Sequence, residues 1–436
     1  MLKVVKFGGT SLADAVQFAK VKSIVESDDT RKVVVVSAPG KRTPNDYKVT
    51  DLLYLCAAHL KYKVSSKDIF EMIRSRYKDI AIELKLSIDI DKEFDILWNQ
   101  MQQGITENEL ASRGEYFSAR LMADYLGYTF IDSINWVKFN FDGTINYETS
   151  YNALLQITEG NKVVIPGFYG VMPDGRVHTF TRGGSDVTGA LAAAALKADV
   201  YENWTDVSGI LMADPRIVKD PEPIRSVTYS ELRELSYMGA SVLHEEAVFP
   251  VREANIPLNI RNTNEPSNIG TTILEKISED TSNIHITGIA GRKGMTIISI
   301  SKNGISAEPG ALIEVLDILA KRNINVEYIP SGIDSISIVV SSERVEKCLY
   351  EMLGEIQKKF KPDKIAALEH IATIAVVSRK FSKMPHLQGM ILDALGDQDI
   401  VIKLIVQGAD GLNVIIGVDE NVFEKSIQAL YQRFLF

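Results

Sequence analysis

From Met1 to about residue 265, short apolar runs alternate with amphipathic stretches. VVKF is followed by SLADAVQFAKVKSIVES, then KVVVVSA, then DLLYLCAAHL; YTFIDS, SYNALLQI, KVVIPGFYG, SDVTGALAAAALKA, VYENW and PLNIR continue the series. Runs such as VVVV and VVIP are apolar on both faces, as in parallel strands covered by helices on two sides. The pattern predicts an α/β fold with an open, mainly parallel sheet sandwiched by helices. Between Val64 and Gly127 the strand-like runs stop. Apolar residues there recur every third or fourth place, as in IFEMIRSRYKDIAIEL and FDILWNQMQQG, which predicts a helical insertion over about 64–127.

Turn formers crowd NTNEPSNIGTTI, so we place a linker at 266–283 between a first domain, 1–265, and a second region, 284–436. In that region the pattern repeats. TIISISK, ALIEVLDILAKRN, INVEYI, SISIVVS and ERVEKCLYEML read strand, helix, strand, strand, helix; ATIAVVS, HLQGMILDAL, IVIKLIV, LNVIIGV and VFEKSIQALYQRF read the same way. Two copies of a small α+β unit are predicted. The second copy has no closing strand after its helix, and NIHITGIAG can fill that edge. The first unit, about 294–370, would then be nested within the second, about 284–293 plus 371–436.

A length of 436 residues exceeds one ordinary core, and 45% hydrophobic with 24% charged residues are globular values. A net charge of -9 argues against a nucleic-acid backbone or an anionic membrane as the main partner. Cys56 and Cys348 stand far apart in unrelated contexts, which argues against a disulfide framework or a zinc site and fits a reducing cytoplasm. The chain enters a strand without a leader pattern, and no apolar run is long enough to span a bilayer. The expectation is a soluble, unexported protein.

Four segments carry candidate chemistry. In VVKFGGTS, Gly8 and Gly9 free the backbone to approach an anion, Lys6 adds a charge, and a helix starting near Ser11 would aim its positive end there. A tight turn alone is the plainer account. TFTRGGSDVTGALAAAALKA repeats the design: Arg182 offers a fork for a carboxylate, and Asp186 either caps the helix opened by Ser185 or Asp186, or holds Lys6 across the site. In NWTDVSGILMADPRIV, Asp206 and Arg216 bracket a loop after a strand, a place where nucleotides bind in open sheets, although DPR is also a common turn. In LASRGEYFSARLMADYLG, Glu115 lies within an amphipathic helix, where a solvated face or an ion pair with Arg113 is the plain reading.

KFGGTS, SRGE, GFYG, TRGGSD and TDVSGILMADPR, in this order, resemble the aspartate kinases of the amino acid kinase family, and the tandem units resemble ACT regulatory domains. The resemblance covers nearly the whole chain. It implies MgATP-dependent phosphorylation of the β-carboxylate of L-aspartate, with ATP and Mg as cofactors. It implies that Lys6 neutralises the transferring phosphoryl group, that Gly8, Gly9 and Ser11 bind phosphate, and that Asp186 orients Lys6. Arg182 would take the substrate α-carboxylate and Glu115 its ammonium, with Ser37, Thr50, Phe168, Gly183, Gly184 and Ser185 lining the pocket. Thr205, Asp206, Leu211, Arg216 and Ser241 match the nucleotide positions. At Leu211 the family commonly has tyrosine, at Ser241 lysine, and at Glu245 proline; Arg216, Lys219 or Arg225 could compensate.

NGISAEPGALIEV and NINVEYIPSG resemble the effector segment of lysine-inhibited aspartate kinases. Ile305, Ala311, Leu312, Asn325, Val326, Glu327 and Ser331 are the matching positions, with Glu327 either meeting a lysine ammonium or merely solvated. Lysine is preferred over threonine as effector, and a homodimer or homotetramer through the ACT units is implied. Two alternatives stay open: an amino-acid sensor with a degenerate kinase domain, and a kinase for another amino acid such as glutamate.

Overall fold

Strands β1 (Lys3–Phe7), β2 (Arg31–Val36) and β4 (Val163–Pro166) form where β-branched residues run together, and all three bury almost every side chain. The computed structural model describes the chain apart from residues 182, 240–242, 244, 278–284, 308–309 and 436. The chain divides into two units, the first comprising Met1–Ile210, Pro223–Tyr229 and Val242–Ser278, the second Leu211–Glu222, Ser230–Ser241 and Glu279–Phe436.

In the first unit β3 (Thr129–Phe130), β7 (Val200–Thr205), β10 (Ser226–Thr228), β11 (Leu258–Asn262) and β12 (Thr271–Leu274) complete an eight-stranded sheet. Its order is β10-β12-β11-β7-β1-β2-β4-β3, and only β11 and β12 pair antiparallel. The mainly parallel sheet read from the two-faced apolar runs is therefore present. Short strands β5 (Tyr169–Val171), β6 (Val177–Thr179), β8 (Ile210–Leu211) and β9 (Pro223–Ile224) lie outside it.

Helices α1 (Ala15–Glu26), α2 (Val49–Lys61), α6 (Tyr147–Thr158), α7 (Gly184–Ala195) and α9 (Glu245–Glu253) accompany the sheet. Helix α7 carries an alanine-rich buried face that lets it sit close to β1 and β7. The region around 64–127 folds as α3 (Lys67–Glu83), α4 (Ile90–Gln103) and α5 (Glu107–Leu126). Asp89 and Thr106 cap α4 and α5 by accepting from Lys92 N and Glu109 N. Their apolar stripes meet in an aromatic cluster in which Phe94 stacks on Phe117 at 4.4 Å, and Tyr77 tilts against Phe94 and meets Phe117 edge-on. Truncating the fully buried Phe94 to alanine would cost about 3–5 kcal/mol.

The second unit contains α8 (Tyr229–Tyr237) from Ser230 onward and a six-stranded antiparallel sheet, β14-β15-β13-β16-β18-β17. Strands β13 (Gly288–Ser301) and β16 (Lys364–Val377) are 14 residues each. β14 (Val326–Tyr328) and β15 (Ser335–Ser341) flank one end of that pair, and β17 (Leu404–Val406) and β18 (Asn413–Asp419) flank the other. Helices α10 (Ala311–Ala320), the short α11 (Ser342–Val345) and α12 (Leu349–Phe360) belong to the first repeat. Helices α13 (His386–Gly396) and α14 (Phe423–Leu435) belong to the second. Ile298, Ile300, Val315, Ile318, Ile338, Val340, Met352 and Ile356 form the core of the first repeat. Both cysteines are free, and no helix among the described residues is long and apolar enough to cross a membrane.

Candidate active site

Because β2, β4, β1, β7 and β11 run parallel, their carboxyl ends share one edge of the sheet. The chain leaves β1 toward β2 on one side and reaches β7 on the other, so the order reverses at β1, where open sheets bind ligands. The turns that follow are tied laterally. Gly8 N donates to Trp204 O at 2.9 Å, Ser37 N to Phe7 O at 3.2 Å, Gly167 N to Val36 O at 2.9 Å and Thr263 N to Thr205 O at 2.8 Å.

Lys6 is 7% exposed, and its Nζ lies 2.6 Å from Asp186 Oδ1. Asn203, directly across from Lys6 in the β1–β7 register, accepts from Nζ at 3.4 Å and donates through Nδ2 to Asp186 Oδ1 at 2.8 Å. The ammonium is thus aimed by two neighbours on different elements. Asp186 does not cap α7, which begins at Gly184 after Gly183 in the left-handed region at φ +55°. Asn203 escaped the sequence reading; its signal was a polar residue inside the otherwise apolar VYENW, one strand away from a lysine.

The two glycine turns require glycine for packing. A Cβ at Gly9 would stand 2.9 Å from Ala38 O, and one at Gly40 would stand 2.7 Å from the Gly9 carbonyl carbon. Gly40 N donates to Gly9 O at 2.7 Å, so the turn after β1 and the turn after β2 touch backbone to backbone. A Cβ at Gly8 would enter the space 3.7 Å from Lys6 Nζ. The helix expected near Ser11 begins instead at Ala15, capped by Asp14, whose Oδ1 accepts from Gln17 N at 2.9 Å. Residues Gly9–Leu12 form a 3-10 turn, and Ser11 Oγ is 2.7 Å from Thr263 Oγ1, so that hydroxyl is engaged within the fold.

Glu115 is 4% exposed on α5. Burial pushes its carboxyl up to about 8, against a backbone hydrogen bond from Ala38 that favours the charged form. Its Oε2 has no partner among the described residues. The expected pairing with Arg113 is absent: Arg113 lies over the rings of Tyr116 and Tyr169 and donates to Ser112 Oγ at 2.9 Å. A solvated face is equally excluded. Ala38 therefore touches the site twice, through its carbonyl near Gly9 and its N–H at Glu115.

Phe168 adopts φ +80°, a strained value for a bulky side chain, and its N–H donates to Thr188 Oγ1 at 3.1 Å. This presses the turn after β4 onto the start of α7. A Cβ at Gly184 would lie 2.6 Å from Phe168 Cδ2. Ser185 is buried in the first turn of α7, while Ser37 and Thr50 are half-buried after β2 and at the start of α2. Arg182 and Ser241 lie outside the described residues. Thr205 Oγ1 donates to the exposed Asp206 at 3.2 Å. Leu211 and Arg216 belong to the second unit, where Arg216 is exposed and paired with Asp214 at 2.6 Å.

Residues 1–262 match the amino acid kinase family, and residues 374–434 match the ACT domain. Aspartokinase 3 of Bacillus subtilis is 37% identical over 99% of this chain and 98% of its own length. A crystal structure of Clostridium acetobutylicum aspartate kinase superposes with a TM-score of 0.92 at 43% identity, covering 99% of both chains. The chain belongs to the amino acid kinase family, among the aspartate kinases. E. coli aspartokinase III, in complex with lysine and aspartate, is 25% identical with a TM-score of 0.74 and full coverage of both chains.

The segments resembling an effector site lie within the second unit. Ile305, Ala311, Leu312 and Ser331 line a cavity of about 400 Å³ with Ile329 and Ile336. Asn325 is exposed and Val326 half-buried, and neither is among the residues lining that cavity. Glu327 is half-buried rather than fully solvated, and its Oε2 accepts from Arg292 Nη2 and from the Tyr237 hydroxyl.

Proposed function

We propose that this chain transfers the γ-phosphoryl group of ATP to the β-carboxylate of L-aspartate, giving 4-phospho-L-aspartate and ADP. This is the first step toward the aspartate-derived amino acids lysine, threonine and methionine. The observation that carries the reading is the buried Glu115 oxygen with no partner among the described residues, beside the Ala38 segment that packs against Gly9. A carboxylate so placed costs free energy unless a cation arrives, and the substrate ammonium is that cation.

The nucleophile is the β-carboxylate, ionised at neutral pH, so no general base is needed. One of its oxygens bonds to the γ-phosphorus while the bond to the ADP oxygen breaks, and no proton moves. Attack of an anion on a polyanion is opposed electrostatically. Lys6, fixed by Asp186 and Asn203, lowers that barrier by placing positive charge where negative charge spreads. Gly8 leaves room for the phosphate beside it, and Gly9 lets the phosphate turn pack against Gly40. Arg182 takes the α-carboxylate, and Ser37, Thr50, Phe168, Gly183, Gly184 and Ser185 line the pocket. Thr205, Asp206, Leu211, Arg216 and Ser241 serve the nucleotide. Magnesium carried by ATP would supply further charge neutralisation.

Residues 1–265 form the catalytic domain in this reading, and 284–436 form two nested ACT units that bind an amino-acid effector, lysine in preference to threonine. The complex of E. coli aspartokinase III with lysine supports that choice. A homodimer or homotetramer through the ACT units and a cytoplasmic location complete the proposal. Incubation with ATP, Mg²⁺, aspartate and hydroxylamine should yield aspartyl hydroxamate, less of it as lysine is added. No hydroxamate at several millimolar ATP, or faster turnover of glutamate, would overturn the reading.

A further inference from the structure

We propose that Arg76, contributed by the helical insertion, is a positioning residue for phosphoryl transfer that clamps the turn after β1 to the turn after β2. Arg76 lies on α3 and is 5% exposed. Its Nη2 donates to Ala13 O at 3.1 Å and to Gly40 O at 2.6 Å; its Nη1 donates to Tyr47 O at 3.0 Å and to Asp46 Oδ2 at 3.1 Å. Ala13 closes the turn that begins at Gly8, and Gly40, Asp46 and Tyr47 belong to the turn that follows β2. One planar guanidinium thus holds three carbonyls from two turns.

Only an arginine can do this from one position, because its donors fan out in a fixed plane while a lysine offers one point. The consequence runs through Gly40. Its carbonyl is held by Arg76 and its N–H donates to Gly9 O, so the guanidinium sets the height at which the phosphate turn sits. Two residues back, Ala38 donates to Glu115, so the same segment also fixes the ammonium site. The next residue on α3 supports the other side: the Tyr77 hydroxyl donates to Gly114 O at 2.6 Å, beside Glu115. Asp46, held below the usual carboxylate range chiefly by Arg42, keeps a negative charge against Arg76. Burial opposes the Arg76 charge, and its Nε has no partner among the described residues, so the group is retained at a cost in stability. The insertion is therefore part of the machinery that aligns the reaction, although none of its α3 side chains belongs to the pocket read above.

This inference rests on the reading of the site given above, and its test carries one readout that needs no activity. Full-length Arg76→Met and Arg76→Lys are compared with wild type and with Arg74→Met, which removes ion pairs of the same helix to Glu71, Asp91 and Asp95 and none to the turns. Turnover per folded molecule should fall about 30–100-fold in Arg76→Met and about fivefold or more in Arg76→Lys, and stay within twofold in Arg74→Met. Guanidinium at tens of millimolar should restore Arg76→Met at least fivefold where the same concentration of urea does not. Hydrogen exchange at Gly40 should quicken at least tenfold in both Arg76 variants, whether or not the enzyme turns over. Turnover within threefold of wild type in the Lys variant, a loss that only tracks the unfolded fraction, or unchanged exchange at Gly40 would overturn the clamp. If Arg76→Met does not fold, the Lys variant decides.

Discussion

Glu115 and Glu327 are both glutamates at sites where an amino acid is expected, yet their surroundings are opposite. Glu115 has one oxygen with no partner among the described residues and a carboxyl pushed up to about 8. Glu327 already accepts from Arg292 and Tyr237. A buried acceptor left open makes a site that stabilises its ligand and destabilises the empty protein. An acceptor already filled makes a joint, which a ligand can enter only by displacing a neighbour. In the proposed reading, the first unit receives an ammonium once Glu115 gives up its proton, and the second exchanges one contact for another.

The largest expected effect isolates the chemistry from both carboxylates. Lys6→Ala should reduce kcat by about 10³-fold with a smaller change in aspartate KM, read in the hydroxamate assay. Kinetics like those of wild type would remove Lys6 from the site. Next, Glu115→Gln should raise aspartate KM roughly 10–150-fold, the value of one charge-assisted hydrogen bond.

Protonation sharpens the same contrast. The folded Glu115 carboxyl binds its proton more tightly than the unfolded one, whose ordinary value is near 4.5. Its burial therefore costs nothing below about 4.5, and stability falls as pH rises from there toward about 8, then levels off. Glu115→Gln should accordingly raise the thermal midpoint of the ligand-free protein at pH 8 and leave it unchanged at pH 4.5. Aspartate needs the charged form, so its binding to wild type at pH 7 should release close to one proton, measured by calorimetry in buffers of different ionisation enthalpy. No proton release would show that Glu115 does not meet the ammonium.

Asn203→Ala should cost about tenfold in kcat, since Asp186 still holds Lys6 but with one guide fewer. The smallest effect belongs to the filled carboxylate. Glu327→Ala should lower the thermal midpoint by about 2–4 °C through loss of a half-buried ion pair. An unaltered melting curve would mean the joint contributes nothing.

The parallel sheet was legible because VVVV and VVIP can only be buried on both faces, and the helical insertion because its apolar stripes recur at helical spacing. Lys6 and Asp186 were legible as chemistry, and their meeting at 2.6 Å follows from β1 and β7 being neighbours with α7 between them in sequence. Asn203 and Arg76 were not legible. Each acts through a partner distant in sequence, and neither lies in a glycine-marked turn. Ser11 misled for a local reason: Asp14 outcompetes it for the helix end, since its carboxylate reaches the free N–H of Gln17. The residues alone left Glu115 to a solvated face or an ion pair with Arg113, and only the family resemblance put it in the pocket, because helical periodicity reports which face is apolar while the carboxylate is buried beside the turn after β2.

Strands β13 and β16 each traverse both regulatory repeats, pairing with one another from Gly288 to Ser301 against Val377 to Lys364. The two repeats consequently share their central ladder, as two rooms share a wall. Neither can be excised without stripping the other of a strand, and a tilt imposed at one end must be felt along the same continuous backbones at the other.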